Sequence, residues 1–254
     1  MEKSQMAAQL YTIREFLKTP EAIEDSLSKV KQIGYDAVQV SGMGPIEPSA
    51  LHDITSALDL SICATHISFD QLQNHLDDVI SSHKLWECRY VGLGSMPDAY
   101  RSSADGYAKF VEEFSAIGRR LTAAGLNLVY HNHNFEFEKF GGVPGMQILL
   151  DGAGPDTYSM EIDTYWVQAG GGNPTEWIAK ANRRIKVVHL KDMAIVGRNQ
   201  VYAEIGEGNI NWDSVLQACR DSGVEYYVIE QDTCTRDPFE SLAMSLRYLE
   251  KMSS

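Results

Sequence analysis

The sequence has little positive charge and no long apolar run, and these two absences exclude several classes of protein. Lysine and arginine together number 22, against 35 aspartate and glutamate residues, so the net charge is −13. A negative charge of this size opposes attraction to the phosphate backbone of nucleic acids. No stretch reaches the roughly 18 uninterrupted apolar residues that suggest a membrane-spanning helix. We therefore expect neither a nucleic-acid partner nor a membrane partner.

Cysteine is scarce as well, and its spacing argues against a disulfide framework. The chain has 254 residues, which is long enough to fold without disulfides, and it contains no CxxC pair. Its N-terminus lacks the basic and apolar regions of a secretion signal. These features predict a cytoplasmic location and reduced thiols at all four cysteines: Cys63, Cys88, Cys219 and Cys234.

Several common catalytic motifs are also missing. The sequence contains no GxGxxG after a predicted strand, no GxxxxGK[ST], no GxSxG and no HExxH. These motifs mark dinucleotide binding, nucleotide phosphate binding, serine hydrolysis and zinc proteolysis, respectively. None of these four activities is therefore indicated.

The chain does show a regular alternation of short apolar runs with longer amphipathic segments. The runs are too short for helices and rich in β-branched and aromatic residues, which is typical of buried parallel strands. Eight strands are predicted, over residues 7–12, 37–40, 61–66, 90–93, 127–131, 159–162, 186–189 and 226–230. Helices are predicted between and after them, over residues 23–33, 49–57, 72–86, 107–124, 146–150, 175–181, 212–222 and 238–251.

Eight strand–helix pairs without a long linker predict an α/β fold of one particular kind. We expect a (β/α)8 TIM barrel that forms a single domain over residues 1–254. Gly34, Gly125 and Gly223 each follow a predicted helix, where a residue that tolerates positive φ closes the helix. Irregular stretches at residues 138–145 and 191–211 predict loops that cover a substrate at the barrel mouth.

Histidine and acidic side chains follow the predicted strands, at the ends that meet on one rim of a barrel. His131 and His133 project to the same face of the fifth strand, and Glu136 lies just beyond it. The active site of a TIM barrel is built at this rim, and a mixture of imidazole and carboxylate groups suits a divalent metal ion. We predict one such ion, Mn²⁺, Zn²⁺, Co²⁺ or Mg²⁺, with ligands drawn from His131, Glu136, Asp163, His189 and Glu230.

Other residues near the same strand ends are candidates for contact with a substrate. Lys191 shares the face of His189 and could steady a substrate oxygen. His66 could donate a hydrogen bond, and Trp166 could form a wall against a sugar ring. Glu207 lies between two glycines that allow a close turn, so its carboxylate could enter the site.

Each candidate also has a purely structural alternative. A strand histidine is often a hydrogen-bonded core residue, and Asp163 could cap a helix or turn. Glu230 could form an ion pair with Lys191 or with an arginine, and Lys191 could itself be an ordinary surface lysine. Trp166 could belong to the core, and Glu207 to a solvated loop.

Five segments of the sequence resemble the sugar phosphate isomerase/epimerase family, the xylose isomerase-like TIM barrels. They are residues 130–137 (YHNHNFEF), 161–166 (EIDTYW), 189–192 (HLKD), 206–208 (GEG) and 229–230 (IE). The resemblance spans nearly the whole chain. The order and spacing of the five segments are specific for the superfamily. Its members include isomerases, epimerases, dehydratases, lyases and apurinic endonucleases.

The resemblance implies roles for particular residues. Many members bind one divalent ion through Glu, Asp, His and Glu at the ends of the last four strands, and this chain matches the last three with Asp163, His189 and Glu230. His131 stands in the place of the first glutamate. His133 is similar to a catalytic histidine of some dehydratases, whereas Trp166 stands where several epimerases and dehydratases have histidine.

These features predict a metal-dependent enzyme for a sugar, keto-sugar or cyclitol. A metal-bound carbonyl would acidify the adjacent C–H, and Glu230 or His133 would take the proton, with Lys191 assisting, to give an enediolate. Return of the proton yields isomerisation or epimerisation, and loss of a β-substituent yields a dehydratase or lyase. The alternatives are a non-catalytic sugar-binding protein and an apurinic endonuclease, and the negative charge opposes the latter. A homo-oligomer is possible because related enzymes often form dimers or tetramers.

Overall fold

The structure, a computed structural model, describes residues 1–253 and contains a closed barrel of eight parallel strands. We number these barrel strands one to eight in chain order. They are Met6–Gln9, Ala37–Val40, Ser61–His66, Tyr90–Leu93, Asn127–His131, Ser159–Asp163, Ile185–Leu190 and Tyr226–Ile229. Ala7 in the first strand pairs with Ala37 of the second and with Val228 of the eighth, which closes the barrel. The predicted TIM barrel is confirmed.

Helices connect the strands around the outside of the barrel. The α-helices of residues 1–253 are Pro20–Ile33, Pro48–Ala57, Phe69–Asn74, Leu76–Leu85, Ala104–Ala123, Gly145–Gly152, Thr164–Ala169, Pro174–Ala181, Trp212–Ser222 and Pro238–Ser253. Gly34, Gly125 and Gly223 have φ of 118°, 84° and 75°, as expected for residues that follow a helix end. None of these helices is both long enough and apolar enough to cross a membrane.

Most predicted elements lie within a few residues of the observed ones, and three places show larger differences. The first strand ends at Gln9 rather than at residue 12, because the Gln9 side chain accepts the backbone N–H of Tyr11 at 3.2 Å and a 3-10 helix, Leu10–Phe16, follows. The helix predicted over residues 72–86 is two helices, which are separated by the non-helical backbone of His75. A short helix, Thr164–Ala169, follows the sixth strand where none was predicted.

The two stretches predicted as irregular loops contain antiparallel hairpins. Asp192–Val196 pairs with Asn199–Ala203 directly after the seventh strand. Lys139–Phe140 pairs with Val143–Pro144 after the fifth strand. Both hairpins lie at the end of the barrel where the strands terminate.

The interior of the barrel changes from apolar to polar along its axis. A cluster of small and apolar side chains, separate from the main core, fills the part nearer the strand beginnings: Ala7, Ala37, Cys63, Ala64, Tyr90, Val129, Val187 and Val228. Because side chains alternate along a strand, the residues two positions later share the inward face. In several strands those residues are polar and buried: Gln9, Gln39, His131, His189 and Glu230.

Candidate active site

A group of four buried side chains converges inside the barrel at the C-terminal ends of the fifth to eighth strands. One donor atom of each lies within 4.8 Å of a donor atom of every other member. Strand alternation turns all four inward, so residues far apart in sequence meet at one point. The members of this donor group are His131, Asp163, His189 and Glu230.

Glu136 was predicted as a further ligand but does not join the donor group. Its Oε1 accepts the hydroxyl of Tyr130 at 2.7 Å, and its Oε2 accepts the backbone N–H of His133 at 2.9 Å. Burial raises the pKa of this carboxyl to about 7. Glu136 therefore anchors the backbone of His133, and His131 supplies the fifth strand's member of the group.

Hydrogen bonds direct a ring nitrogen of each imidazole in the group toward a carboxylate. His131 Nδ1 donates to the carbonyl of Gly94 at 3.0 Å, which leaves Nε2 facing Asp163 Oδ2 at 3.2 Å. The side-chain nitrogen of Gln39 donates to Glu161 Oε1 at 2.8 Å, which fixes the orientation of the Gln39 amide. The Gln39 side-chain oxygen therefore accepts from His189 Nε2 at 2.7 Å. His189 Nδ1 then faces Glu230 Oε2 at 2.8 Å. A proton or a metal ion is needed between each of these nitrogens and its carboxylate oxygen, since two lone pairs would repel.

Lys191 brings a buried ammonium to the same carboxylates. Its Nζ lies 2.9 Å from Asp163 Oδ2, 2.8 Å from Glu230 Oε2 and 2.6 Å from Asp232 Oδ2. Although burial opposes the charge, the three carboxylates raise the pKa of Lys191 well above its ordinary value. Lys191 is thus a charged member of the site, and the surface-lysine alternative is wrong.

The carboxylates of the donor group are held in their anionic form. Burial opposes ionisation, but the nearby Lys191 lowers the pKa of Asp163 and brings that of Glu230 well below its usual range. Burial likewise opposes protonation of His189, yet Glu161 and Glu230 raise its pKa to about 10. The carboxylates therefore draw a cation or a proton toward each imidazole.

Glu161 lies behind the donor group and was not predicted. Its Oε2 is 2.7 Å from His66 Nε2, and its Oε1 is 3.2 Å from His189 Nε2. A carboxylate that orients the outer nitrogen of a ligand histidine is a common feature of metal sites. Alternation along the sixth strand could have found Glu161, because it lies two residues before Asp163 on the same inward face.

A cavity of about 240 Å³ opens onto the donor group from the barrel mouth. Asp232, which follows the eighth strand and was also not predicted, is part of its lining. Burial and the nearby Glu230 raise the pKa of Asp232. Several of the predicted site residues share this lining with it: His66, His131, His133 and Glu230.

His133 and Trp166 lie together at the edge of the site, with their ring centroids 5.2 Å apart. His133 Nδ1 and Trp166 Nε1 are buried and have no hydrogen-bond partner among residues 1–253. Burial, with help from His131 and Lys191, lowers the pKa of His133 to about 2, so its ring is neutral. An unpartnered buried nitrogen is costly unless a ligand satisfies it, which favours contact with a bound molecule.

Glu207, predicted to contact substrate, is exposed and does not line this cavity. The segment around it instead surrounds Asp192, whose carboxylate accepts the backbone N–H groups of Gly206 and Gly208 at 2.9 and 3.2 Å. A Cβ on Gly208 would lie 2.3 Å from Asp192 Oδ1, so only glycine fits there. These contacts give the GEG segment a structural role.

Comparison with known proteins relates this chain to one family and to several named enzymes. The model of the family described as xylose isomerase-like TIM barrel matches residues 27–252. Inosose dehydratase of Lacticaseibacillus casei is 24% identical over 165 residues, which cover 58% of this chain and 54% of that protein. The chain thus matches about half the length of this curated relative.

Solved structures share the fold over nearly the whole chain. A sugar phosphate isomerase/epimerase from Parabacteroides distasonis ATCC 8503 superposes with a TM-score of 0.81 at 22% identity, covering 97% of each chain. L-ribulose 3-epimerase has a TM-score of 0.73 at 13% identity, covering 98% of this chain and 94% of the other. At these identities the likeness concerns the barrel itself.

Proposed function

The chain belongs to the xylose isomerase-like TIM barrel family, and on that premise we propose a metal-dependent enzyme that removes a proton next to the carbonyl of a sugar, keto-sugar or cyclitol. The observation that carries this proposal is the donor group, in which two imidazoles and two carboxylates converge within 4.8 Å. Since Gly94 and Gln39 already bind the outer nitrogens of His131 and His189, the inner nitrogens face Asp163 and Glu230, where a metal ion would take the place of a proton.

The donor group fits a divalent ion, and its chemistry favours some ions over others. Two nitrogen and two oxygen donors suit Zn²⁺, Mn²⁺ or Co²⁺ better than Mg²⁺, which prefers an all-oxygen shell. When bound, such an ion polarises a carbonyl and makes the neighbouring C–H acidic. His131, Asp163, His189 and Glu230 would hold it, and Lys191 would keep the two carboxylates anionic.

Proton transfer is assigned to side chains that line the cavity. Glu230 and His133, both predicted from the sequence, have low pKa values and are weak bases while paired or buried. Asp232 has a raised pKa and lines the cavity, so it is a stronger base than Glu230 and can accept the substrate proton, while Lys191 stays charged 2.6 Å away. We therefore add Asp232 to the proposed catalytic residues.

A dehydratase or lyase is the second candidate. It would use the same first step and then expel a β-hydroxyl or other group from the substrate. The unpartnered Nδ1 of His133 supports this candidate, because a neutral imidazole at the cavity wall can hydrogen-bond a departing oxygen. The similarity to inosose dehydratase points the same way.

The deciding experiment follows hydrogen exchange with solvent. The full chain, reconstituted with Mn²⁺, Co²⁺ or Zn²⁺, is incubated in D₂O with aldoses, ketoses, 3-keto-sugars and inososes. Deuterium at a single carbon supports proton abstraction, and a product lighter by one water identifies a dehydratase. If no compound in the panel exchanges or reacts with the metal-loaded protein, the proposal fails.

Metal content supplies an independent test. Asp163→Ala and His189→Ala should each abolish stoichiometric metal binding, measured by elemental analysis after dialysis, because each removes a donor. Arg198→Gln, in the exposed turn of the hairpin after the seventh strand, should retain the ion. Unchanged metal in both donor variants would contradict the site. A cytoplasmic location, the absence of nucleic-acid and membrane partners, and homo-oligomer formation stay predictions.

A further inference from the structure

A second cavity, of about 390 Å³, opens at the opposite end of the barrel. It lies beside the beginnings of the fifth, sixth and seventh strands, far along the barrel axis from the donor group. Four of the chain's 22 basic residues line it: Arg89, Arg183, Arg184 and Lys186. This concentration of positive charge is unexpected in a chain whose net charge is −13.

Most of this positive charge has no carboxylate partner. Lys186 Nζ forms an ion pair with Glu225 at 2.9 Å. Among residues 1–253, no carboxylate lies within ion-pair distance of the other three cations. Glu225 acts on Arg89 only from beyond ion-pair distance. Three guanidinium groups without a direct carboxylate contact therefore lie at one cavity and create a field that attracts anions: Arg89, Arg183 and Arg184.

Backbone contacts hold two of the arginines in place. The guanidinium of Arg184 donates to three carbonyl oxygens, those of Leu150, Lys180 and Ala181, at 2.8, 3.0 and 3.3 Å. These bonds orient the group without cancelling its charge. Arg183 has φ of 62°, an uncommon conformation for a residue other than glycine, and its backbone N–H donates to Ser222 at 3.0 Å. The guanidinium of Arg184 and the backbone of Arg183 are thus positioned before any ligand arrives.

We propose that this cavity binds the phosphate group of a small phosphate monoester. Planar guanidinium groups match tetrahedral oxyanions with paired hydrogen bonds, and the hydroxyl of Ser159 in the lining can donate as well. The cavity also includes Leu128 and Pro155, which can contact the organic part of a monoester.

The test titrates the full chain with inorganic phosphate and with glycerol 3-phosphate at constant ionic strength. Binding is followed through the backbone amide signals of Gly154, Arg183 and Arg184 by NMR. Both probes should shift these signals, and glycerol 3-phosphate should bind at least as tightly as phosphate. Arg183→Gln should raise the dissociation constant about tenfold or more, and adding Arg89→Gln should raise it further.

The matched control is Arg198→Gln, which removes the same charge from an exposed turn at the other end of the barrel. It should leave both dissociation constants unchanged. Absence of shifts at the cavity, or equal weakening by Arg183→Gln and Arg198→Gln, would overturn the proposal. Weaker binding of glycerol 3-phosphate than of phosphate would overturn the assignment to a monoester. Since both arginines are exposed, thermal unfolding should show that the variants fold normally.

Discussion

The seventh barrel strand has a lysine near each end, and the two lysines have very different surroundings. Lys186, near the beginning, has a side chain that is 32% exposed and pairs with one carboxylate, Glu225, at 2.9 Å. Lys191, just past the other end, is 0% exposed and contacts three carboxylates. The two residues are five positions apart and carry the same charge.

The difference shows how one barrel builds two kinds of charged site. At the mouth, water is excluded and every charge depends on a partner, so the group is rigid and costly to disturb. At the opposite end, solvent screens the charges, and three arginines can face a cavity without carboxylate partners at little cost. The first arrangement suits chemistry, and the second suits reversible binding of an anion.

The largest expected effect comes from removing the ammonium at the mouth. Lys191→Met leaves the buried Asp163 and Glu230, and the partly exposed Asp232, without the ammonium that they share. We expect the metal-free protein to lose about 3–5 kcal/mol of unfolding free energy, measured by urea denaturation in EDTA. Added Zn²⁺ should recover part of the loss because it supplies positive charge to the same oxygens. A loss below about 1 kcal/mol would mean that the three carboxylates do not depend on Lys191.

Glu136, also at the mouth, should make the free energy of unfolding depend on pH, with a change of similar size. Its pKa rises from 4.5 in the unfolded chain to about 7 in the folded protein, because burial disfavours the anion. The folded state therefore keeps this proton while the unfolded state releases it, and stability falls as pH rises from about 4.5 to about 7. At about 1.4 kcal/mol per pKa unit, the titration of Glu136 lowers the free energy of unfolding by about 3 kcal/mol across this pH range.

The substitution Glu136→Gln removes this titration. Urea unfolding of both proteins at several pH values should show the wild-type stability falling relative to the variant by about 3 kcal/mol across that range. A difference between the two proteins that is independent of pH would show that Glu136 is not protonated in the folded state.

A smaller effect, on metal affinity, is expected from Glu161, which lies behind the donor group. Glu161→Gln keeps the shape of the side chain but removes the charge that orients His189 and His66. Loss of such an outer contact typically weakens metal affinity by about 10–100-fold, which a competition titration with a chelator would measure. The same substitution at the other end of the barrel, Glu225→Gln, should leave metal affinity unchanged. Equal affinities for all three proteins would remove Glu161 from the site.

The smallest effect is expected at Lys186. Lys186→Met breaks a partly exposed ion pair, which should change the unfolding free energy by no more than about 1 kcal/mol, and by less in high salt. Urea denaturation beside Lys191→Met tests the comparison directly. Equal losses for the two lysines would contradict the difference in burial on which the comparison depends.

The alternation of apolar runs and amphipathic segments was enough to predict the barrel, and the family match confirms the resemblance seen in five short motifs. Strand boundaries were predictable where an apolar run gives way to irregular backbone, as after His66 and Leu93. They failed where a side chain redirects the backbone, as Gln9 does by accepting the N–H of Tyr11. Such a bond depends on one geometry and leaves no periodic signal.

The sequence alone specified eight strands, the order of their polar ends and the shared inward face of His131 and His189, because strand alternation and barrel closure are regular. It could not choose between His131 and Glu136, since that choice depends on whether Tyr130 and the His133 backbone already occupy the Glu136 carboxylate. Nor could it show Lys191 among three carboxylates. The Lys191 contacts join residues at the ends of the sixth, seventh and eighth strands, and their distances exist only once the barrel closes.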